Sequence, residues 1–189
     1  TAKTVFIGPC LAKKAEKKEP DLVGAIDYVL TYQELSDLFS VSNIDLASLP
    51  EDKVPHASEA GIGYAYAGGV SKAVSRMVEQ LNPQRSVTIQ TRRADGVPEC
   101  KAMINDILAG NHGGNFFEGM GCKGGCVGGP RAIISKEEGK KQVQAYGKEA
   151  LYKTPAENPY VIELLKELGF STVEEFLENS RLYDRDMDT

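Results

Sequence analysis

The most informative stretch of the sequence is a glycine-rich segment that reads Phe117-Glu118-Gly119-Met120-Gly121-Cys122-Lys123-Gly124-Gly125-Cys126-Val127-Gly128-Gly129-Pro130. Two cysteines stand four positions apart in it, and five glycines and one proline occupy the segment from Gly121 to Pro130. Glycine is needed where the main chain takes a positive φ or approaches a ligand closely. Cysteines in such a loop are typical of thiolate ligands to an iron–sulfur cluster, whose sulfurs can accept backbone N–H groups. The alternative is a flexible turn with incidental cysteines.

A second segment carries Cys10 and reads Gly8-Pro9-Cys10-Leu11-Ala12-Lys13-Lys14-Ala15-Glu16. A strand is predicted before it and a polar helix from Leu11 to Lys18, so Cys10 falls at a helix N-terminus, where the dipole stabilises a thiolate. Lys13 follows one turn later and can lie over the same site. Alone, this segment indicates a solvated Lys/Glu helix face. Together with Cys122 and Cys126, it predicts a third metal ligand.

Composition limits the class of protein. The chain has 189 residues, 41% hydrophobic and 26% charged, with a net charge of −5. These values fit one soluble domain, residues 1–189, with a helical tail at about 150–189. The acidic balance argues against nucleic acid or an anionic membrane as partner, and we expect a cytoplasmic protein. The chain opens at Thr1 without a methionine. We therefore expect it to be part of a longer protein.

Strand and helix patterns alternate along the chain. Strands are predicted at Thr4 to Gly8, Ala25 to Leu30, Ser86 to Thr91 and Asn115 to Met120. Helices are predicted from Thr31 to Phe39, Val70 to Leu81, Val97 to Ala109, Ser135 to Glu149, Pro159 to Leu168 and Thr172 to Ser180. Capping boxes mark the first and fourth of these helices. The alternation predicts an α/β fold with a central, mostly parallel sheet covered by helices.

The cysteine segments resemble two signature sequences of iron-only (FeFe) hydrogenases. The first signature, Met-Pro-Cys-x-x-Lys-Lys-x-Glu, is matched at Pro9, Cys10, Lys13, Lys14 and Glu16. The second, Glu-x-Met-x-Cys-x-Gly-Gly-Cys, is matched at Glu118, Met120, Cys122, Gly124, Gly125 and Cys126. The similarity extends from about Thr4 to Tyr160. The resemblance implies that the chain is the C-terminal lobe of the hydrogenase catalytic domain.

The resemblance also implies a cofactor, a 4Fe-4S cubane linked to a di-iron unit with CO and cyanide ligands. Cys10 and Cys122 would bind the cubane, and Cys126 would bridge the two units. Lys13 would pair with a cyanide, and Met120 and Glu118 would lie against the cofactor. Lys13 and Cys126 are thus the implied catalytic residues for reversible oxidation of hydrogen. Because only three ligands are present, we expect this chain alone to lack the cofactor.

The sequence departs from the family pattern in ways that leave an alternative open. The signature that carries the fourth cubane cysteine is absent, Gly8 replaces the usual methionine, and Pro130-Arg131 closes the glycine segment. These departures suit a divergent, sensory or low-turnover subgroup. The alternative is a non-catalytic iron–sulfur protein on the same scaffold, acting as a hydrogen or redox sensor or in cluster assembly.

The resemblance also implies partners: the N-terminal part of the same catalytic domain, a ferredoxin or similar electron carrier, and hydrogenase maturation proteins. It implies an anaerobic bacterium as the source.

Cys100 falls on the apolar side of a predicted helix with Met103, Ile104 and Ile107. We therefore expect it to be a buried, inert core residue, because free cysteine behaves as a small hydrophobe.

Overall fold

The structure, a computed structural model, describes residues 2–51 and 56–179. Its first sheet joins β1 (Val5–Gly8) and β2 (Tyr28–Thr31) in parallel, with Val5 opposite Tyr28 and Gly8 opposite Thr31. Parallel strands need a crossover connection. Here it contains the short helix α1 (Ala12–Glu16) and a 3₁₀ turn, Pro20–Leu22. Cys10 lies between β1 and α1.

The second sheet joins β3 (Thr91–Asp95) and β4 (Phe116–Met120), also in parallel, with Asp95 opposite Met120. The two strands are connected by helix α5 (Val97–Leu108). This helix has Pro98 in its first turn and contains the buried Met103. Both strands end at the same edge of the sheet because they are parallel. The glycine segment therefore begins beside the end of β3.

One predicted strand was wrong. The alternation of Val87 and Ile89 placed it at 86–91, but the structure has β3 at Thr91–Asp95 and leaves Val87 58% exposed. The strand forms where β4 offers a hydrogen-bonding partner, not where the local alternation is strongest. Strand preference depends on cross-strand and same-face neighbours more than on the residue alone.

The helices follow the predicted order. Helix α2 (Tyr32–Val41) starts at Thr31, whose side chain accepts from the Glu34 N–H while the Glu34 carboxylate accepts from the Thr31 N–H. The predicted capping box is thus present. Between α2 and the second sheet lie a 3₁₀ turn (Leu46–Ser48), α3 (Glu59–Ile62), a second 3₁₀ turn (Gly63–Ala65) and α4 (Gly69–Leu81).

The C-terminal part consists of α6 (Lys136–Glu149), α7 (Pro159–Glu167) and α8 (Val173–Glu178). At the start of α6 only half of the predicted capping box forms, because Glu138 bonds to Gln142 instead of the Ser135 backbone. The tail is attached to the body by polar contacts. Asn158 is 1% exposed and its Nδ2 donates to the His56 carbonyl at 2.7 Å.

The architecture is α/β with parallel strand pairing, as predicted, and the described strands form two separate two-stranded sheets instead of one central sheet. The buried apolar core is small and dispersed, and includes Val29, Ala73, Ala94, Met103 and Leu165. None of the helices in the described ranges has the length and apolar character that a membrane span requires.

Candidate metal centre

The glycine segment is attached at Gly124 to two other parts of the chain. The Gly124 N–H donates to Asp95 Oδ1 at 2.6 Å, and the Gly124 carbonyl accepts from the Ala67 N–H at 3.0 Å. Asp95 is the last residue of β3, and Ala67 lies just before α4. The loop between Cys122 and Cys126 is therefore fixed at its centre by the sheet and by the start of a helix.

Two glycines of the glycine-rich segment, Gly125 and Gly128, stand where no side chain fits. Gly125 has a φ of +85°, and a Cβ added to it would lie 2.5 Å from the Ala67 nitrogen. A Cβ on Gly128 would lie 2.0 Å from the Lys123 carbonyl oxygen. Real Cβ atoms do not approach backbone atoms this closely, so glycine is required at both positions.

Contacts at Pro9 bring the Cys10 segment to the same loop. The Arg131 N–H donates to the Pro9 carbonyl at 3.1 Å. A Cβ on Gly129 would lie 2.9 Å from that carbonyl oxygen, so the two backbones touch. Cys10, the next residue after Pro9, is thereby held beside the loop that carries Cys126.

Three thiols converge at this point. All four cysteines are free, with Cys10 and Cys122 partly buried and Cys126 exposed. Burial, and then the neighbouring thiols of Cys10 and Cys126, raise the pKa of the Cys122 thiol above its usual value. Thiols influence one another's ionisation in this way only when they are close. We call Cys10, Cys122 and Cys126 the three-thiol group.

The three-thiol group suits a cluster better than a single ion. Among residues 2–51 and 56–179, no three His, Cys, Asp or Glu side chains lie close enough together to hold one metal ion. The ligands of an iron–sulfur cluster bind different irons, so their sulfurs lie further apart than the ligands of one ion. Soft thiolates are the usual ligands of such clusters. The residues present therefore fit three of a cubane's four cysteine ligands.

Glu118 makes its contacts with helix α4. This carboxylate is 5% exposed. Its Oε1 accepts from the Gly68 N–H at 2.7 Å, and its Oε2 accepts from the Ser71 N–H at 2.8 Å and from the Ser71 hydroxyl. An anion at a helix N-terminus is favoured by the dipole and by the free N–H groups there. The assignment of Glu118 to the cofactor stays a prediction, and its contacts with Gly68 and Ser71 anchor α4 to β4.

The other two side chains predicted at the cofactor have different surroundings. The Lys13 ammonium pairs with the Glu16 carboxylate on the same helix, and its side chain is 40% exposed. Met120 ends β4, and its carbonyl accepts from the Gly96 N–H at 2.8 Å. Met120 therefore stands two residues before Cys122 at a fixed backbone position. The Lys13 ammonium has three N–H donors, and Glu16 accepts from it.

Cys100 lies outside the three-thiol group. Its Sγ is 3.5 Å from the Met120 carbonyl oxygen and 3.8 Å from that of Ala94. The prediction that it is buried was wrong in degree, because the side chain is only partly buried. Helix α5 packs against the second sheet along one side, and Cys100 lies near the end of that contact.

Asp95 is the site residue that the sequence analysis missed. Its carboxylate accepts a hydrogen bond from the Gly124 N–H, and its own backbone N–H donates to the Glu99 carboxylate at 2.9 Å. An aspartate followed by glycine is typical of a turn. Because the strand was predicted at 86–91, Asp95 lay outside the predicted strand and was not considered as a site residue. A polar residue at the carboxyl end of a parallel strand was the available signal.

An apolar cavity adjoins the three-thiol group. Its volume is about 350 Å³. It is lined by Pro9, Tyr32, Ala65, Cys126, Val127, Ala132, Ile133, Ile134, Gly139, Gln142 and Val143. The exposed Cys126 therefore faces a space whose walls are mainly aliphatic.

Comparisons with known proteins identify the family of the chain. Residues 1–130 match the family model described as "Iron only hydrogenase large subunit, C-terminal domain". The chain belongs to this family. The family match ends at Pro130, and the similarity of fold to solved structures covers 87% of the chain.

A curated relative and several solved structures are similar to the chain. It is 30% identical over 164 residues to the periplasmic [Fe] hydrogenase large subunit of Nitratidesulfovibrio vulgaris Hildenborough, covering 69% of this chain and 39% of the relative. A variant of [FeFe]-hydrogenase HydA1 from Chlamydomonas reinhardtii shares the fold, with a TM-score of 0.59 and 20% identity, over 87% of this chain and 58% of that one. An [FeFe]-hydrogenase solved in a study of stepwise H-cluster assembly gives a TM-score of 0.56 and 21% identity, with the same coverage of both chains.

Proposed function

We propose that this chain supplies the C-terminal lobe of an iron-only hydrogenase that interconverts hydrogen with protons and electrons. The observation that carries the proposal is the convergence of Cys10, Cys122 and Cys126 on one glycine-lined loop. A purely structural loop has no need to gather three thiols from distant parts of the chain. Membership of the hydrogenase family supplies the class of chemistry.

In this proposal Cys10 and Cys122 hold the cubane, and Cys126 bridges it to the di-iron unit. When bound, such a cofactor stores electrons and offers an open iron position to hydrogen. Cys126 is the exposed member of the group and faces the apolar cavity, as a residue at the substrate side should. The mainly aliphatic walls suit a small apolar gas better than a polar molecule.

In this proposal the three-thiol lobe is complemented by a further part of the same catalytic domain. The chain spans 39% of the curated relative and about 58% of the similar structures. On the first sheet, Val5, Ile7 and Tyr28 are 43%, 45% and 55% exposed. Parallel sheets are normally covered on both faces, so we propose that the N-terminal part of the domain covers these residues and brings the fourth cysteine.

A specific observation supports a second candidate, a non-catalytic iron–sulfur sensor or assembly factor. Gly8 stands where the family has methionine, and a Cβ there would lie 3.0 Å from the Phe6 ring. The side chain that would contact the di-iron unit is therefore missing. Lys13 also has a local partner in Glu16. Both features would be tolerated in a protein that keeps the cubane alone.

Substitution of the bridging cysteine tests the proposal. In protein assembled with the rest of its domain and matured in a host with maturation proteins, Cys126→Ser should abolish hydrogen evolution from a reduced dye, because a hard hydroxyl replaces a soft thiolate poorly. The matched control, Cys100→Ser, removes a thiol outside the group and should retain most of the activity. Equal activity of Cys126→Ser and wild type would overturn the proposed role.

The remaining partners are proposed on the same basis. A ferredoxin-like carrier would exchange the electrons, and maturation proteins would deliver the di-iron unit. We also propose a cytoplasmic location, in which Cys100, the cysteine outside the three-thiol group, stays a free thiol. The relative from N. vulgaris is periplasmic by name. Cell fractionation with an antibody against the chain distinguishes the two compartments.

A further inference from the structure

A second, polar pocket lies away from the three-thiol group, where α3, α4 and α6 meet. Its volume is about 260 Å³. It is lined by Glu59, Gly63, Tyr66, Lys72, Val143, Gln144, Gly147 and Lys148. Three helices thus contribute polar side chains to one concave space.

The single carboxylate of the pocket is already neutralised. Glu59 lies 3.1 Å from Lys153 Nζ and 3.4 Å from Arg76 Nη1. Burial acts to raise the pKa of Glu59, but its bonds to Lys153 and Arg76 outweigh this and lower it. Glu59 is therefore ionised, and two cations share its charge.

The pocket retains positive charge beyond this neutralised carboxylate. Within the part of the chain that the structure describes, Lys72 and Lys148 form no ion pair, and both line the pocket. A third ammonium, of Lys140, lies 5.6 Å from the centroid of the Tyr66 ring. The concentration of cations contrasts with the net charge of −5 for the whole chain.

A hydroxyl donor and two glycines shape the pocket. A Cβ added at Gly63 would lie 3.3 Å from Tyr66 Oη, so the phenol is held directly beside the backbone. At Gly147 a Cβ would lie 3.5 Å from the Ile62 side chain, which shows how closely α6 approaches α3. The absence of side chains at Gly63 and Gly147 leaves the space open. Tyr66 can donate its hydroxyl hydrogen into it.

We propose that this pocket binds a small oxyanion with at least two negative charges, held by Lys72, Lys148 and the Tyr66 hydroxyl. Charge-assisted hydrogen bonds to such an anion are short and strong, and lysine provides a compact point charge that suits a tetrahedral or carboxylate oxyanion. The volume suits a phosphate group or a short dicarboxylate and is too small for a folded partner. Tyr66 also touches Gly125 through its backbone, so the occupant would rest against the segment that supports the cysteine loop.

Binding of inorganic phosphate, measured by isothermal titration calorimetry on the protein in its assembled form, tests this proposal. The variant Lys72→Gln/Lys148→Gln keeps polar side chains at both positions and removes both charges. Its control, Lys101→Gln/Lys166→Gln, removes the same charge from two exposed lysines that do not line the pocket. Wild type and control should bind phosphate with similar affinity, and the pocket variant should lose roughly tenfold or more, which corresponds to about 1.4 kcal/mol.

Malonate, titrated in parallel, distinguishes the two sources of oxyanion. Tighter binding of phosphate assigns the pocket to phosphate groups, and tighter binding of malonate assigns it to dicarboxylates. Two results would overturn the proposal: no binding of either anion by wild type, or equal binding by wild type and the pocket variant. Equal binding would mean that diffuse attraction to the surface accounts for the signal.

Discussion

The Glu118 carboxylate accepts a 2.7 Å hydrogen bond from the backbone N–H of Gly68, although 50 residues separate them in the sequence. The same carboxylate binds the Ser71 N–H and hydroxyl, so it closes the N-terminus of α4. Glu118 stands four residues before Cys122, and Ala67, just before Gly68, holds the Gly124 carbonyl. One buried carboxylate thus connects the strand, the helix and the cysteine loop.

Replacing Glu118 by glutamine should therefore destabilise the protein. The amide keeps the size of the side chain but loses the charge that accepts three hydrogen bonds, and we expect a loss of about 1–3 kcal/mol in the free energy of unfolding. Chemical denaturation of the assembled protein measures it. The control Glu79→Gln changes an exposed glutamate at the other end of α4 and should change stability by less than about 0.5 kcal/mol. Equal stability of both variants would contradict the anchoring role.

The steric requirement at Gly125 can be tested against a neighbouring glycine. Gly125→Ala should reduce iron content sharply and cost roughly 2 kcal/mol or more, because its φ of +85° and its 2.5 Å approach to the Ala67 nitrogen leave no place for a Cβ. Gly121→Ala is the matched control, since no atom lies within 4 Å of a Cβ at that position. Iron analysis and thermal unfolding report both effects. Similar iron content in the two variants would show that the loop adapts.

The convergence of distant thiols predicts a change in reactivity. In cluster-free protein, Cys10→Ser should lower the pKa of Cys122 partway toward its usual value, because burial, the larger cause, is unchanged. The pH profile of Cys122 alkylation, followed by peptide mass spectrometry, measures this. Cys100→Ser should leave that profile unchanged. If Cys10→Ser also left it unchanged, Cys10 would not belong to the three-thiol group.

The cap of α2 predicts a pH dependence of stability. The Lys14 ammonium, 2.7 Å from Glu34, and then the bonds from Thr31 hold the pKa of Glu34 at about 2, below its ordinary 4.5. A lowered pKa means that this stabilisation is complete above pH 4.5 and is lost as the pH falls toward 2. Thermal midpoints measured across this range should decline less steeply for Glu34→Gln than for wild type. Asp37→Asn, on the same helix, should retain the wild-type slope; identical slopes in all three proteins would exclude the interaction.

The sequence predicted most reliably those elements whose determinants are local. The capping box at Thr31 and Glu34 depends on four adjacent residues, and the structure contains both of its hydrogen bonds. The strand at Thr91–Asp95 depends instead on its pairing with β4, which lies 20 or more residues further along the chain. For this reason the alternation of Val87 and Ile89 gave the wrong position. Asp95, whose place at the end of β3 makes it a support for Gly124, was missed with it.

In the candidate site, too, the features with local determinants were predicted and those that depend on distant contacts were not. Spacing and glycine content drew attention to Cys10, Cys122 and Cys126, and the structure brings these three thiols together. The partner of Glu118 depends on a tertiary contact with Gly68 that no local pattern displays, whereas the partner of Lys13 is Glu16, three residues further along the same helix. The separation of the strands into two small sheets was equally inaccessible, because no local pattern shows which strands pair with each other.

The central claim is that the three-thiol group holds an iron–sulfur cluster linked to a di-iron unit. Infrared spectroscopy of the anaerobically purified protein, assembled with the rest of its domain and matured in a host with maturation proteins, tests it most directly. We predict bands of iron-bound CO and cyanide in wild type that are lost in Cys126→Ser and kept in Cys100→Ser. A wild-type protein with the visible absorbance of a cubane but no CO or cyanide bands would contradict the hydrogenase assignment.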